Sequence, residues 1–538
     1  MLLAFTELFY QSLSQYIRPT KYKMKTKIIS IVLLLINTIA FGQQEKMGLP
    51  KANWYNLDLK ADGMFGISMD KAYTELLKGK KARPVVVAVI DDGLDTAHED
   101  LKKVTWINRK EIPGNKIDDD KNGYTDDVNG WNFLGSSQES FVIDNDEIVL
   151  DVRKYRLLFG DKDSTEIAKK DLPVYRLYKA KEKELNQKVK DANAEIANVT
   201  PFLSDVSVIL KKMGKDDPTL DDFKNFKPSN ESEARAQNFM LTVLQGNQHA
   251  KAYLAYTRQH LEKQQHDMQY NLNINYDSRA KYPNEFLPEK KWFYGNADIY
   301  GPVAPAHGTH VAGIIAALRN NGLGINGVAD HVQIMPIRAV TEGDLRGIDE
   351  AGAIRYAVDN GAKVINMSFG SCIAQDRQFA EDAIKYALSK DVLFIQASGN
   401  SHHNEDLDRS DVNKLIKSDP HIAAMFIVVG ASGFIDNNEL AAPFSNYGKQ
   451  TIDVFAPGMD IKSTIPGNHY EAHDGTSMAT PVVSGLAAVI REYYPKLTAR
   501  QVKEIIMKSV VKRDSLKDLC ISGGVVNAYE ALKLAATY

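Results

Sequence analysis

Cysteine is nearly absent. Cys372 and Cys520 are the only two in 538 residues. They stand 148 positions apart, and the sequence leaves their pairing open. Two cysteines exclude a disulfide framework and a cysteine-based zinc cluster. An excess of charge is missing too. The 66 basic and 69 acidic side chains give a formal net charge of −3, so a protein that lives on phosphate neutralisation is disfavoured and no nucleic-acid partner is expected. There is no internal repeat and no low-complexity tract. The one long apolar run, residues 28–41 (IISIVLLLINTIAF), falls short of the ~20 residues a membrane span needs. What is present is ordinary: 44% hydrophobic and 25% charged residues, the proportions of a globular chain rather than a disordered or collagen-like one.

The apolar run has the parts of a secretory signal. Lys25 and Lys27 precede it, and Ala40-Phe41-Gly42 follows as a small-residue cleavage site. The signal begins naturally at Met24, which makes residues 1–23 an extension or a misassigned start. Residues 1–42 carry five basic residues and one acidic residue, so their loss takes the formal charge from −3 to −7. The expected product is exported, periplasmic or secreted, with no stable membrane span after processing.

Short β-branched runs recur at 84–90 (PVVVAVI), 332–337, 363–367, 391–396, 425–430 and 451–455. Such runs are the mark of strands buried on both faces. Between and after them, 307–319, 347–359, 379–389, 476–493, 498–511 and 528–536 carry apolar residues at spacings of three and four. This alternation predicts an α/β fold with a mostly parallel sheet covered by helices, and places reactive groups at the carboxyl ends of strands. Residues 140–290 differ. They are polar and rich in Lys, Glu and Gln, with a heptad-like seam at Tyr178, Leu185, Ala192 and Val199 and a second helical stretch at 231–266. The plainest reading is an inserted helical hairpin. The domain plan is then a leader at 1–42, a first part of the α/β domain at 43–139, the insertion at 140–290 and a second part at 291–538.

Three segments carry chemistry. The first strand ends in Val89-Ile90-Asp91-Asp92-Gly93, where a carboxylate can orient an imidazole or simply cap a turn. His307-Gly308-Thr309-His310-Val311-Ala312-Gly313 opens a helix. Its histidines are spaced by three, but the Glu base of an H-E-x-x-H zinc site is missing, so His310 reads as structural. Gly475-Thr476-Ser477-Met478-Ala479-Thr480-Pro481 opens another helix. Pro481 is expected in a first turn, which puts Ser477 at or near the N-cap, where a serine either caps or acts as a nucleophile beside oxyanion-holding amides.

Together, and in the order Asp, His, Ser, these segments resemble the subtilisin-like serine peptidases, the subtilases. The resemblance covers about 85–136 and 292–535. It implies the subtilisin-like three-layer fold, polypeptide substrates and no organic cofactor. It casts Ser477 as nucleophile, His307 as general base and Asp91 as the carboxylate that fixes the imidazole. Ala397-Ser398-Gly399-Asn400 is similar to the family's oxyanion segment, with Asn400 as side-chain donor and Ser398 and Gly399 beside the substrate. Met367-Ser368-Phe369-Gly370 is similar to the strand end that pairs with substrate backbone, giving Ser368, Phe369 and Gly370 as substrate-binding residues.

The departures are equally specific. Asp91 and His307 are 216 residues apart, whereas His307 and Ser477 are 170 apart. The excess lies between the orienting carboxylate and the base, where the insertion acts as a lid or substrate selector, or is a solvated decoration. Asp92 stands where Ser or Thr is more usual, and D-D-G is shared with kexin-like members, so a bias toward Lys or Arg at the second subsite is expected. Asp118-Asp119-Asp120-Lys121-Asn122-Gly123-Tyr124 has oxygen side chains at positions 1, 3 and 5 and glycine at 6, the start of an EF-hand-type loop. Structural Ca2+ is expected on Asp118, Asp120, Asn122 and the Tyr124 carbonyl, with Asp126 or Asp127, the latter preferred, closing the site because Asn129 replaces the usual Glu at position 12; the alternative is an Asx-rich turn. Residues 52–83 read as the lead-in of the catalytic domain rather than as an inhibitory propeptide. Two other functions compete with peptidase: a catalytically silent or regulatory relative that binds peptides or a partner, and a metallohydrolase built on His307, His310, His402 and His403, for which no Glu base is placed.

Overall fold

The computed structural model describes residues 50–245, 249–286, 292–370, 377–407 and 419–538. The leader and Cys372 lie outside them; Cys520 is a free, buried thiol. The chain divides into two compact units, Lys190–His266 and the larger Leu49–Val189 with Asp267–Tyr538.

Among the described residues the larger unit has eleven strands: β1 (Val85–Asp91), β2 (Trp131–Asn132), β3 (Val332–Arg338), β4 (Val364–Met367), β5 (Leu393–Ala397), β6 (Phe426–Ser432), β7 (Val454–Pro457), β8 (Ile461–Ile465), β9 (His469–His473), β10 (Val511–Lys512) and β11 (Gly524–Val525). Nine form one sheet in the order β10-β11-β7-β6-β5-β4-β1-β3-β2. Every neighbouring pair in it is parallel except β10 with β11. A period-two strand buried on both faces feeds two cores. Val85, Val87 and Val89 of β1 enter one, while Ala88 and Ile90 enter the other.

Helices cover both faces. They are α1 (Ala306–Ala316), α2 (Gly347–Asp359), α3 (Arg377–Ser389), α4 (Thr476–Tyr493), α5 (Ala499–Lys508) and α6 (Ala528–Ala535). Val311 and Ile314 of α1 and Val482 and Leu486 of α4 fill the first core. Ile354 of α2 and Ile384 of α3 fill the second. The result is the expected three-layer α/β fold. The lead-in belongs to it: Trp54, Tyr55, Ile67 and Met69 are buried in the first core. The antiparallel β8–β9 pair was not expected from the sequence, because β9 is mostly exposed and polar.

The smaller unit is helical. It holds the continuation of the helix Leu172–Met213, the short helix Leu220–Asn225, and helices Glu231–Leu244 and Ala250–Gln269 up to His266. Val206, Ile209, Phe223, Met240 and Leu254 are among its core residues. The predicted second helical stretch is thus two helices, and the short one is added before it by a capping box at Thr219 and Asp222. The heptad seam serves two clusters. Tyr178 and Leu185 pack with Val149, Val152 and Phe159 of the larger unit, whereas Val199 packs into the core of the smaller one.

In the larger unit a buried ionic network ties Arg279 to Asp349. Asp144 lies 3.9 Å from Arg279 and accepts two 2.7 Å bonds from Arg346. Removing one partner of such a network strands the other charge, at a cost of about 3–5 kcal/mol. Arg279→Met is therefore expected to lower the urea-unfolding stability of the Ser477→Ala chain by that amount; an unchanged midpoint would contradict it.

Candidate active site

β1 delivers Asp91 at its carboxyl end, where its carboxylate is buried. Asp91 Oδ1 lies 2.7 Å from His307 Nδ1 and also accepts the Asp92 N–H at 2.8 Å. A carboxylate accepts here, so in the neutral ring Nδ1 carries the proton and Nε2 is the acceptor. The Asp91 side chain is 2% exposed and that of His307 39%, so only the imidazole of the pair is open to a reactant. Burial opposes charge on His307, but the Asp91 carboxylate overrides it and pushes the pKa up to about 9.

The next carboxylate holds the helix. Asp92 accepts the His307 N–H at 3.2 Å and the Gly308 N–H at 2.7 Å, capping α1 where amides are otherwise orphaned. Burial, reinforced by Asp91, pushes the Asp92 carboxyl above the ordinary range. This approach requires glycine at 308, since a Cβ there would stand 2.1 Å from the Gly93 carbonyl oxygen.

Ser477 is the second residue of α4, and Gly475 is the N-cap. The expected first-turn Pro481 is corrected: it lies inside the helix, four residues beyond Ser477. Proline has no N–H, so the Ser477 carbonyl loses its helical donor. Ser368 Oγ supplies one instead, at 2.9 Å. Ser477 Oγ in turn donates to the Ser368 carbonyl at 2.8 Å. No hydrogen bond joins Ser477 to His307 among the described residues.

Asn400 follows β5. Its Oδ1 accepts both the N–H and the hydroxyl of Thr476 at 2.9 Å, which fixes the amide so that Nδ2 is the free donor. A Cβ placed on Gly475 would lie 3.7 Å from that Nδ2, so the amide group stands beside the start of α4. Asn446, which the sequence reading did not single out, braces this loop. It donates to the Ser398 carbonyl at 2.9 Å and to Glu405 at 2.7 Å, and accepts the N–H groups of Ser401 and His403. Gly399 lies against it, for a Cβ there would be 2.5 Å from Asn446 Nδ2. Ser398, Gly399, Ser368, Phe369 and Gly370 thus border the β4 and β5 ends, with Gly370 exposed.

The model of the subtilase family matches residues 82–524. The chain belongs to the subtilase family. It is 41% identical over 185 residues to a thermophilic serine proteinase of Bacillus sp. (strain AK1), covering 34% of this chain and 42% of the relative. It is 34% identical over 230 residues to alkaline elastase YaB of Bacillus sp. (strain YaB), covering 42% and 55%. With subtilisin BL of Lederbergia lenta it is 36% identical over 234 residues, covering 42% and 77%. The chain thus spans about half the length of the first two of these curated relatives.

In this subtilase the acidic loop is only partly as expected. Asp120 and Asp127 converge with Glu111, each bringing a carboxylate oxygen within 4.8 Å of the others. Glu111 was missed because it lies outside the loop motif. Asp118 instead accepts the N–H groups of Asn122 and Gly123. The Asn122 side chain accepts the Tyr124 N–H at 2.8 Å and donates to Asp127 at 3.0 Å. Tyr356 donates to Asp127 at 2.7 Å. Burial pushes the Asp127 carboxyl up to about 6 against these hydrogen bonds.

His310 is buried behind the first histidine and stacks on His473 at 4.3 Å. Burial drives its pKa down to about 3, so it is neutral. Among the described residues neither metal-compatible cluster includes His307, His310, His402 or His403. Ser368 makes its own prediction. Ser368→Ala leaves the Ser477 carbonyl unpaired, and thermal unfolding is expected to show a loss of about 1–3 kcal/mol; a variant as stable as the parent would contradict that role.

Proposed function

We propose that this subtilase is an exported serine endopeptidase working through Asp91, His307 and Ser477. The observation that carries the reading is the 2.7 Å contact from Asp91 to His307 Nδ1. Asp91 holds the tautomer in which Nε2 is the base. Ser477 Oγ turns from the Ser368 carbonyl toward Nε2, loses its proton and attacks the peptide carbonyl. Asn400 Nδ2 and the Ser477 backbone N–H hold the oxyanion; in subtilisin, loss of such a side-chain donor costs ~10²–10³ in rate. His307 then protonates the leaving amine, and water resolves the acyl-enzyme.

Ser368, Phe369 and Gly370 pair with an extended substrate backbone, and Ser398 and Gly399 form the adjoining wall. Asp92 already spends both oxygens on helix amides, so a bias of the second subsite toward Lys or Arg acts through its charge and only where its raised carboxyl is ionised. The leader supports export. Among the described residues no helix is long and apolar enough to cross a membrane.

One observation favours a second reading, a silent peptide-binding relative: the bond that turns Ser477 Oγ to Ser368. A fluorophosphonate probe separates the two. Labelling that disappears in Ser477→Ala supports the peptidase; an unlabelled, folded parent supports the silent relative. The pH profile is a further test. The base acts unprotonated, so kcat/KM rises with pH as His307 loses its proton. Because Asp91 raises that pKa, the acid limb is expected above the ordinary value of about 6.5. A limb at or below that value would contradict the assignment.

Hard oxygen donors with a buried carboxylate fit Ca2+. Asp120, Asp127 and Glu111 would hold the ion, with Asp118, Asn122 and the Tyr124 carbonyl completing the loop around it. The ion would offset the repulsion among the converging carboxylates and lock the loop. A calcium chelator is expected to lower the melting temperature of the Ser477→Ala chain. No shift, with no calcium found by mass spectrometry, would refute the site.

A further inference from the structure

A second cluster of ligating side chains lies at the far end of the sheet. Asp330 and His331 immediately precede β3, and Glu492 sits in the last turn of α4. Each brings one ligand atom within 4.8 Å of the others. Glu492 is 0% exposed, and no donor meets full hydrogen-bond geometry at either of its carboxylate oxygens, although the Asp330 carboxyl and the His331 backbone N–H stand beside it. Asp330 is better supplied: Tyr73 donates to it at 3.0 Å and His331 Nδ1 lies 2.8 Å away. The His331 side chain is 51% exposed, so the cluster has an open side. Among the described residues no arginine or lysine pairs with Glu492. The nearby Arg319 is committed to Asp70 and the Gly327 carbonyl.

A fully buried carboxylate such as Glu492, set beside a second carboxylate, is relieved by a cation or by a shared proton. The C-terminal end of α4 adds the negative pole of an 18-residue helix. One imidazole nitrogen with two carboxylates is a borderline donor set, suited to zinc and similar first-row divalent ions rather than to calcium. We propose that Asp330, His331 and Glu492 form a binding site for a first-row divalent cation, Zn2+ best, which clamps the start of β3 to the end of α4. Rotation of the exposed His331 ring brings its nitrogen onto the ion. The site is structural. It lies about 22 Å along α4 from Ser477, at 1.5 Å per residue, too far to touch the reaction.

The test uses the full Ser477→Ala chain in excess Ca2+, so that the Asp120 and Asp127 loop is filled. Zn2+ alone is titrated by calorimetry, and bound metal is counted by mass spectrometry after desalting. The parent is expected to retain one equivalent of zinc and to melt at higher temperature with it. His331→Ala, a change at an exposed position, should weaken binding at least tenfold, and Glu492→Gln should abolish it. In the Ser477-containing chain both variants should keep kcat/KM on a peptide within twofold. Three results would overturn the proposal: no zinc retained by the parent, equal zinc affinity in the parent and both variants, or no effect of zinc on melting. The first would leave the carboxylates sharing a proton.

Discussion

The hydrogen bond between Asp91 and His307 is made where a strand end meets a helix start, and much of the larger unit exists to bring those two ends together. β1 lies between β4 and β3 inside a parallel sheet, so its carboxyl end is fixed from both sides. α1 is held against that end by Asp92, whose carboxylate takes the first amides of the helix. Neither partner could drift without undoing the other. A shift of β1 would withdraw the cap from α1, and a side chain at Gly308 would collide with the Gly93 carbonyl. Two adjacent carboxylates thus divide the work: Asp91 holds the ring and Asp92 holds the backbone that carries it.

The same economy governs α4, the helix of the proposed nucleophile. Pro481 interrupts the hydrogen-bond ladder of α4 and frees the Ser477 carbonyl, which Ser368 then takes. Thr476 is tied to Asn400 by both its N–H and its hydroxyl. The start of α4 is therefore held from the ends of β4 and β5, the strands proposed to border the substrate. Positioning by backbone groups costs little reorganisation when charge develops, which is what an oxyanion site requires.

The strands and helices of the α/β domain were legible because their patterns are strong. β-branched runs such as 84–90 have few alternatives, and α2 and α4 were expected with the boundaries they have. Exposed polar elements escaped. β9 offers no buried face to read, and the short helix Leu220–Asn225 is set by a local cap rather than by apolar spacing. Ser477, His307, Asp91 and Asn400 could be nominated from long motifs. Asn446 and Glu111 could not, because each reaches its partners from a distant loop or from outside the motif, and nothing local marks them. The position of Pro481 was misread for a similar reason. The compensating donor, Ser368, comes from just beyond the end of β4.

The account stands on Asp91 acting through the His307 ring rather than on the substrate. Steady-state kinetics of Asp91→Asn on a peptide measures this most directly. An amide at that position can still meet the imidazole but favours the wrong tautomer, so kcat should fall by ~10⁴-fold with KM little changed. A kcat within tenfold of the parent would contradict the account.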